Sequence, residues 1–167
     1  QICEHKADAS KWFEVHRTAH QLGLKTNCTM LYGHIERDFH RIDHLIRLRE
    51  LQDETGGFTA FISWTCQPDG VPREQDYPEK ATPAVYLRVQ ALSRIFLDNV
   101  DSIQTSYVTQ GMKMGQMSLR FGANDFGGTM IEENVVRAAG ADSVIVHARK
   151  AVLGSNWSPA DNREIPP

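Results

Sequence analysis

The sequence predicts an α/β fold of about four parallel strands alternating with helices, half of an eight-stranded (β/α) barrel. Three observations carry this expectation. Helix-period and strand-like segments alternate in the order α-β-α-β-α-β-α-β-α. Successive strands separated by helices require right-handed crossovers and hence a parallel sheet. The 167 residues fall well short of the ~250 that a complete barrel takes. A small, open, doubly wound sheet is the other arrangement that this order allows.

The elements follow in turn. From Asp8 to Leu22 the apolar positions Trp12, Val15, Ala19 and Leu22 keep helical spacing, and Gly23 suits the residue just past a helix end. Asn27 to Tyr32 reads as a strand that stops at Gly33. A second helix is expected from Asp38 to Asp53, with Ile42, Leu45, Ile46 and Leu48 inward and Gly56-Gly57 breaking it. Phe58 to Trp64 reads as a buried strand. A polar loop covers Asp69 to Ala81. Thr82-Pro83 then supplies an N-cap and a first-turn proline for a helix with Val85, Val89, Leu92 and Phe96 on one stripe. Asp98-Asn99 ends that helix. Ser102 to Thr109 reads as a third strand, Met114 to Phe121 as a helix packing on the sheet, and Gly122 to Gly128 as a short fourth strand or turn. A last helix starts near Ile131 or Glu132 and blurs into Ser143 to Leu153, with Trp157 to Pro167 as a loose tail.

Composition narrows the function classes. Eighteen Lys and Arg against 21 Asp and Glu give a net charge of −3. No basic face of the kind that holds a phosphate backbone is therefore expected, and no nucleic-acid partner. The longest apolar runs, such as Val144-Ile145-Val146, are far too short to span a bilayer. Cys3, Cys28 and Cys66 are odd in number and widely spaced. Neither a disulfide framework nor a complete thiolate cluster is expected from them, and a reducing cytoplasm suits them best. Gln1 opens the chain without an initiator Met, so further sequence upstream is expected.

In parallel α/β folds chemistry collects where strands end, because those loops converge on one rim. The first strand delivers Gly33, His34, Ile35 and Glu36 to that rim, and the second delivers Trp64, Thr65, Cys66 and Gln67. The third delivers Thr109, Gln110 and Gly111; the fourth delivers Asn124, Asp125 and Gly127-Gly128. Hydrogen-bonding groups, glycines for close approach and aromatic surface suit a polar organic ligand containing a sugar or heterocycle. Plain loop solvation is the alternative for any one of them. The pairs His16/His20 and His40/His44 have the i, i+4 spacing that can chelate zinc. They lack the H-E-x-x-H pattern and share their helices with Arg17, Arg41 and Arg47, so solvated helix faces are expected instead. Cys28, inside a strand, is expected to be a buried, inert thiol.

Longer motifs carry a resemblance. Thr29-Met30-Leu31-Tyr32-Gly33-His34-Ile35-Glu36 and Arg49-Glu50-Leu51-Gln52-Asp53-Glu54-Thr55-Gly56-Gly57-Phe58 resemble the C-terminal part of the menaquinone-pathway radical S-adenosylmethionine (SAM) enzymes. That group includes aminofutalosine synthase, dehypoxanthine futalosine cyclase and the related deazaflavin cofactor synthase subunit. Ser93-Arg94-Ile95-Phe96-Leu97-Asp98-Asn99, Val108-Thr109-Gln110-Gly111, Leu119-Arg120-Phe121-Gly122-Ala123-Asn124-Asp125 and Met130-Ile131-Glu132-Glu133-Asn134-Val135-Val136 resemble the cyclase branch. The opening motif, Val15-His16-Arg17-Thr18-Ala19-His20, resembles the synthase equally.

The resemblance implies the C-terminal half of a radical SAM barrel over residues 1–140 and a divergent helix and tail over 141–167. It implies SAM and a 4Fe–4S cluster in the intact enzyme, with the cluster cysteines outside this chain, and a nucleoside-derived substrate. For the cyclase that substrate is dehypoxanthine futalosine, closed to a spiro product through a 5′-deoxyadenosyl radical. By position, Gly33, His34 and Glu36 match the family's SAM-adenosine element, and Phe61, Ile62 and Ser63 match a strand whose backbone reads adenine. Trp64, Gln67, Thr109, Gln110, Asn124 and Asp125 match substrate-facing positions, with Asp125 accepting from ribose hydroxyls. The chain departs from the family at Arg37, where relatives carry Thr, and in the loop after Gln67. Without cluster ligands the isolated chain is expected to be inactive. Its partner is the missing N-terminal half or a second copy, and a non-catalytic nucleoside-binding half-barrel is the rival reading.

Overall fold

The computed structural model describes residues 6–68 and 80–128. Helix α1 (Ala9–Gln21) is followed by β1 (Thr26–Tyr32), α2 (Asp38–Thr55), β2 (Phe58–Thr65), α3 (Pro83–Phe96) and β3 (Ser102–Gln104). Two short helices, α4 (Tyr107–Gln110) and α5 (Met112–Ser118), then lead into a 3-10 turn at Leu119–Phe121. Local chemistry sets the helix starts. Asp8 accepts the Lys11 N–H to cap α1, and the Thr82 hydroxyl accepts the Val85 N–H to cap α3, with Pro83 in the first turn. No described helix is long and apolar enough to cross a membrane.

The three strands are parallel in the order β1-β2-β3. Cys28 pairs with Phe61, Met30 with Ser63 and Tyr32 with Thr65. These six side chains are buried and share the face that packs on α2 and α3, where Leu45, Leu48, Leu51, Tyr86 and Val89 complete the core with Ile103 of β3. Strands taken in sequence order, with both connecting helices on one face, are compatible with the arc of a barrel. The buried amide of Gln90 ties that face together. Its oxygen accepts from Ser63 Oγ at 2.9 Å and its nitrogen donates to the Gln104 carbonyl at 3.3 Å.

The other face carries Thr29, Leu31, Ile62 and Trp64, alternate residues along β1 and β2. Leu31 is 55% exposed and Trp64 36%. A register shift between Thr26 and Asn27 interrupts the ladder at its start. It turns Thr26 and Phe58 toward α1, where Phe58 lies against Trp12, His16 and His20.

Three expectations are corrected. The third strand does not reach Thr109: it ends at Gln104, and Thr109 and Gln110 lie in α4. Thr105 N–H bonds to the Asp125 carbonyl and Ser106 N–H to the Tyr86 hydroxyl, so the chain leaves the ladder there. The fourth strand is reduced to a single parallel bridge between Gln104 and Asp125. The methionine helix starts at Met112, and only Met114 packs on the core while Met112 and Met117 are exposed. The helix expected after Ile131, the division at residue 140 and most of the 69–81 loop lie outside the described residues.

Candidate functional site

The strand ends of β1 and β2 meet at one rim. Gly33 leaves β1 with φ +83°, and a Cβ there would stand 3.1 Å from the Ala81 Cβ, so glycine satisfies both the backbone and the packing. The Glu36 carboxylate closes the turn: it accepts the Gly33 N–H at 2.7 Å and the His34 N–H at 2.9 Å. Arg41, from the first turns of α2, donates to the same carboxylate from Nε at 2.8 Å and lies over the Tyr32 ring at 5.1 Å. Burial pushes the Glu36 pKa up, but the bonds from Gly33, His34 and Arg41 outweigh it and hold the carboxyl at about 2. Glu36 is therefore a fixed anion that shapes the turn. The His34 imidazole folds back, Nδ1 accepting the Ile35 N–H at 2.8 Å.

Across the rim, the Cys66 N–H bonds to the Tyr32 carbonyl at 2.7 Å, carrying the β1–β2 pairing past the strand ends. Thr65 Oγ1 accepts from both Gln67 Nε2, at 2.9 Å, and Gln110 Nε2, at 2.5 Å. One hydroxyl thus joins the end of β2 to α4. Because the β2–β3 ladder stops at Ile62↔Gln104, the stretch Ser63-Trp64-Thr65 runs on without a β3 partner. This unpaired edge lies at the same end of the sheet as the Gly33 turn.

The anticipated residues divide accordingly. Gly33, His34, Glu36, Trp64, Gln67 and Gln110 gather at this rim. Ile62 points to the open face, whereas the Phe61 and Ser63 side chains are buried on the helix side. Thr109 bonds Ser106 Oγ at 2.7 Å, behind the rim. The side chains of Asn124 and Asp125 turn to residues around the start of β3, while the Asp125 main chain bridges its last residue, Gln104. Asn124 Oδ1 accepts the Ile103 N–H and a bond from Arg94, and its amide donates to the Asp101 carbonyl. Asp125 accepts from the Ser102 hydroxyl and the Gly127 N–H. Arg41 was not anticipated, and Thr65 was expected at the rim but not as the hydroxyl that joins Gln67 to Gln110. An arginine five residues after a loop carboxylate, on the next helix's first turns, was the available signal for Arg41.

No group of three His, Cys, Asp or Glu side chains among the described residues could hold a metal. Cys28 is buried, its thiol donates toward the Ala60 carbonyl, and burial pushes its pKa to about 12. Burial also raises Cys66. Neither is a thiolate ready for iron, and Cys3 lies outside the described residues, so these cysteines do not fit a 4Fe–4S cluster. The His16/His20 pair is not a solvated face, because both rings turn inward onto Thr26.

Residues 55–154 match the family model described as the CofH/MqnC C-terminal region. Over 143 residues, 84% of this chain, it is 48% identical to aminodeoxyfutalosine synthase of Thermus thermophilus and spans 38% of that relative. It is 46% identical over 143 residues to 5-amino-6-(D-ribitylamino)uracil–L-tyrosine 4-hydroxyphenyl transferase of Methanococcus vannielii, with 84% of this chain and 40% of that relative covered. Against cyclic dehypoxanthine futalosine synthase of Streptomyces coelicolor the identity is 46% over 136 residues, 81% of this chain and 34% of the relative. The chain thus spans about two fifths or less of each of these relatives.

Proposed function

Because the chain belongs to the family of CofH/MqnC C-terminal regions, we propose that it is the C-terminal part of a radical SAM enzyme whose barrel it helps to close. The observation that carries this reading is the bare sheet face. A parallel sheet is stable with both faces covered, yet Leu31, Ile62 and Trp64 stand on a side that no described helix covers. Closing the sheet into a barrel encloses these side chains and turns them into the dry lining of an interior.

In that reading the Gly33 turn and the Ser63–Thr65 edge hold the adenosine of SAM. Gly33 lets the backbone approach, Glu36 and Arg41 keep the turn in shape, and the main chain from Ser63 through Thr65 offers hydrogen bonds to a heterocycle edge. When bound, the cofactor supplies the carbon radical that abstracts hydrogen from the substrate. This chain's own part is positioning and exclusion of water: Trp64 and Ile62 wall the substrate, while Gln67 and Gln110 offer amide contacts to its polar groups and Thr109, bonded to Ser106, supports α4 from behind. Asn124 and Asp125 fix β3 and so act at one remove. The cluster ligands belong to the remainder of the polypeptide.

The substrate assigned first is dehypoxanthine futalosine, in a cyclase. A synthase-like activity is the second reading, favoured by the 48% identity to the Thermus relative beside 46% to the cyclic product synthase. The intact polypeptide, reconstituted with iron and sulfide under anaerobic reducing conditions, tests both. Release of 5′-deoxyadenosine with consumption of dehypoxanthine futalosine is the expected result. SAM cleavage that leaves this nucleoside untouched moves the assignment to the synthase-like reading. No SAM cleavage at all overturns the radical reading in favour of nucleoside binding.

A further inference from the structure

At the end of the sheet opposite the rim, two imidazoles share one hydroxyl. His16 Nδ1 lies 2.9 Å and His20 Nε2 2.8 Å from Thr26 Oγ1, and His20 Nδ1 lies 2.7 Å from Thr55 Oγ1. Proton counting orders this chain of contacts. The Thr55 hydroxyl donates to the Leu51 carbonyl at 2.8 Å, so its oxygen accepts, and His20 Nδ1 carries the proton that it accepts. A neutral His20 then has its lone pair on Nε2 and receives the Thr26 proton. Thr26, its one proton used, accepts from His16 Nδ1–H. A charged His20 can still be accommodated, since Thr26 then accepts from His20 Nε2–H and donates to Nδ1 of a neutral His16 in its other tautomer. With both rings charged, Thr26 faces two donors and has no acceptor for its own proton.

These links matter because α1 is otherwise lightly held. It contributes no buried residue; Trp12 and Phe13 are only partly buried against the core. The remaining attachments are the exposed Arg17–Glu54 ion pair to α2 and Lys25, after α1, donating to the Gly56 carbonyl. We propose that the His16–Thr26–His20–Thr55 chain is a pH-released clamp, which fastens α1 to the start of the sheet while at least one of the two rings is neutral and frees it when both are protonated.

The charged and titratable groups around the clamp act in the same direction. Lys25 from the α1–β1 connection faces His20, Glu54 of α2 is engaged by Arg17, and β2 contributes only the apolar Phe58. Desolvation and Lys25 lower the pKa of His20, and desolvation and His20 lower that of His16. With both folded values below 6.5, the stabilisation is complete above pH 6.5 and is lost as pH falls through the folded values.

Hydrogen–deuterium exchange of the intact protein, corrected for intrinsic rates, tests the clamp. Protection of peptides covering residues 9–22 should fall between pH 7.5 and 5.5, by up to about tenfold for each histidine, one decade per pH unit between the two pKa values. The α2 and α3 peptides should keep theirs. In His20→Gln, which keeps a donor and an acceptor but cannot titrate, the pH dependence should be reduced to what His16 alone supplies. Constant α1 protection across this range, or an undiminished pH slope in the double His16→Gln/His20→Gln variant, overturns the proposal. Imidazole chemical shifts of the unmutated protein give an answer that needs no variant: values below 6.5 for both rings support the clamp, and a His20 value at or above 6.5 sinks it.

Discussion

Arg41 and Glu36 form the central contact of the rim: a guanidinium that lies on the Tyr32 ring also closes the ring of donors around the carboxylate that folds the Gly33 turn. Glu36 gathers bonds from two main-chain amides and one arginine. The shape of the turn therefore depends on a single anion, and charge, not bulk, is what substitution removes.

Glu36→Gln should destabilise the protein by about 2 kcal/mol, the worth of hydrogen bonds to a charged group, and loosen residues 33–37. Arg41→Lys keeps the charge but loses the fork and the flat contact on Tyr32, and should cost less, about 1 kcal/mol. The acid limb follows the same group. Since the folded pKa of about 2 lies below the unfolded 4.5, the stabilisation is full above pH 4.5 and drains away as pH falls toward 2. Urea unfolding at several pH values should show this slope in the unmutated protein and a flatter one in Glu36→Gln. Equal slopes would remove the carboxylate from this role.

Gly57 sits between α2 and β2 under the His20 ring. A Cβ at this position would fall 2.0 Å from His20 Cγ, a distance that no side-chain adjustment short of moving the ring accommodates. Gly57→Ala should cost on the order of 1–3 kcal/mol by overpacking and displace α1 specifically. A thermal melt equal to that of the unmutated protein would show that the ring moves aside freely.

The limits of sequence reading show at particular residues. The periodicity of Trp12, Ala19, Leu45, Leu48, Val85 and Val89 and the cap at Thr82 made α1, α2 and α3 legible, because those signals are local. Ser102 to Thr109 alternates like a strand, and nothing nearby says otherwise. Its end is imposed by the Tyr86 hydroxyl, twenty residues back, and by the Phe126 carbonyl, which takes the Thr105 hydroxyl. The histidine spacing on α1 was visible too, but its partner Thr26 lies beyond a turn, so inward-facing rings read as solvated ones. At the rim the glycine and the carboxylate of Gly33-His34-Ile35-Glu36 were legible as a turn. That Thr65 joins Gln67 to Gln110 was not, since the bond spans 45 residues.

Tyr32 offers a test in the opposite direction. Its hydroxyl is buried near Ser63, whose own proton goes to Gln90, and makes no well-formed hydrogen bond among the described residues; desolvation, the largest influence on it, raises its pKa. Removing an unsatisfied buried hydroxyl is neutral or stabilising. Tyr32→Phe should therefore unfold at the same temperature as the unmutated protein or a higher one, while keeping the ring under Arg41. A clear loss of stability would mean that the hydroxyl has a partner in solution.

Asn124 separates scaffold from substrate contact. Its amide spans Asp101, Ile103 and Arg94 with three hydrogen bonds, and all of them lie at the start of β3 or on α3, away from the strand-end rim. Asn124→Ala leaves the Ile103 N–H and the Asp101 carbonyl without these partners, and should cost about 1–3 kcal/mol at a site that water partly reaches. In the intact polypeptide the loss should appear as a lower melting temperature with KM for the proposed nucleoside substrate unchanged, because the residue touches β3 and not the rim. Gln110→Ala supplies the contrast: its amide bonds Thr65 at the rim, so KM should rise while the melting temperature moves little. A raised KM in Asn124→Ala at unaltered stability would return that residue to the binding surface and require β3 to pack differently in the proposed barrel.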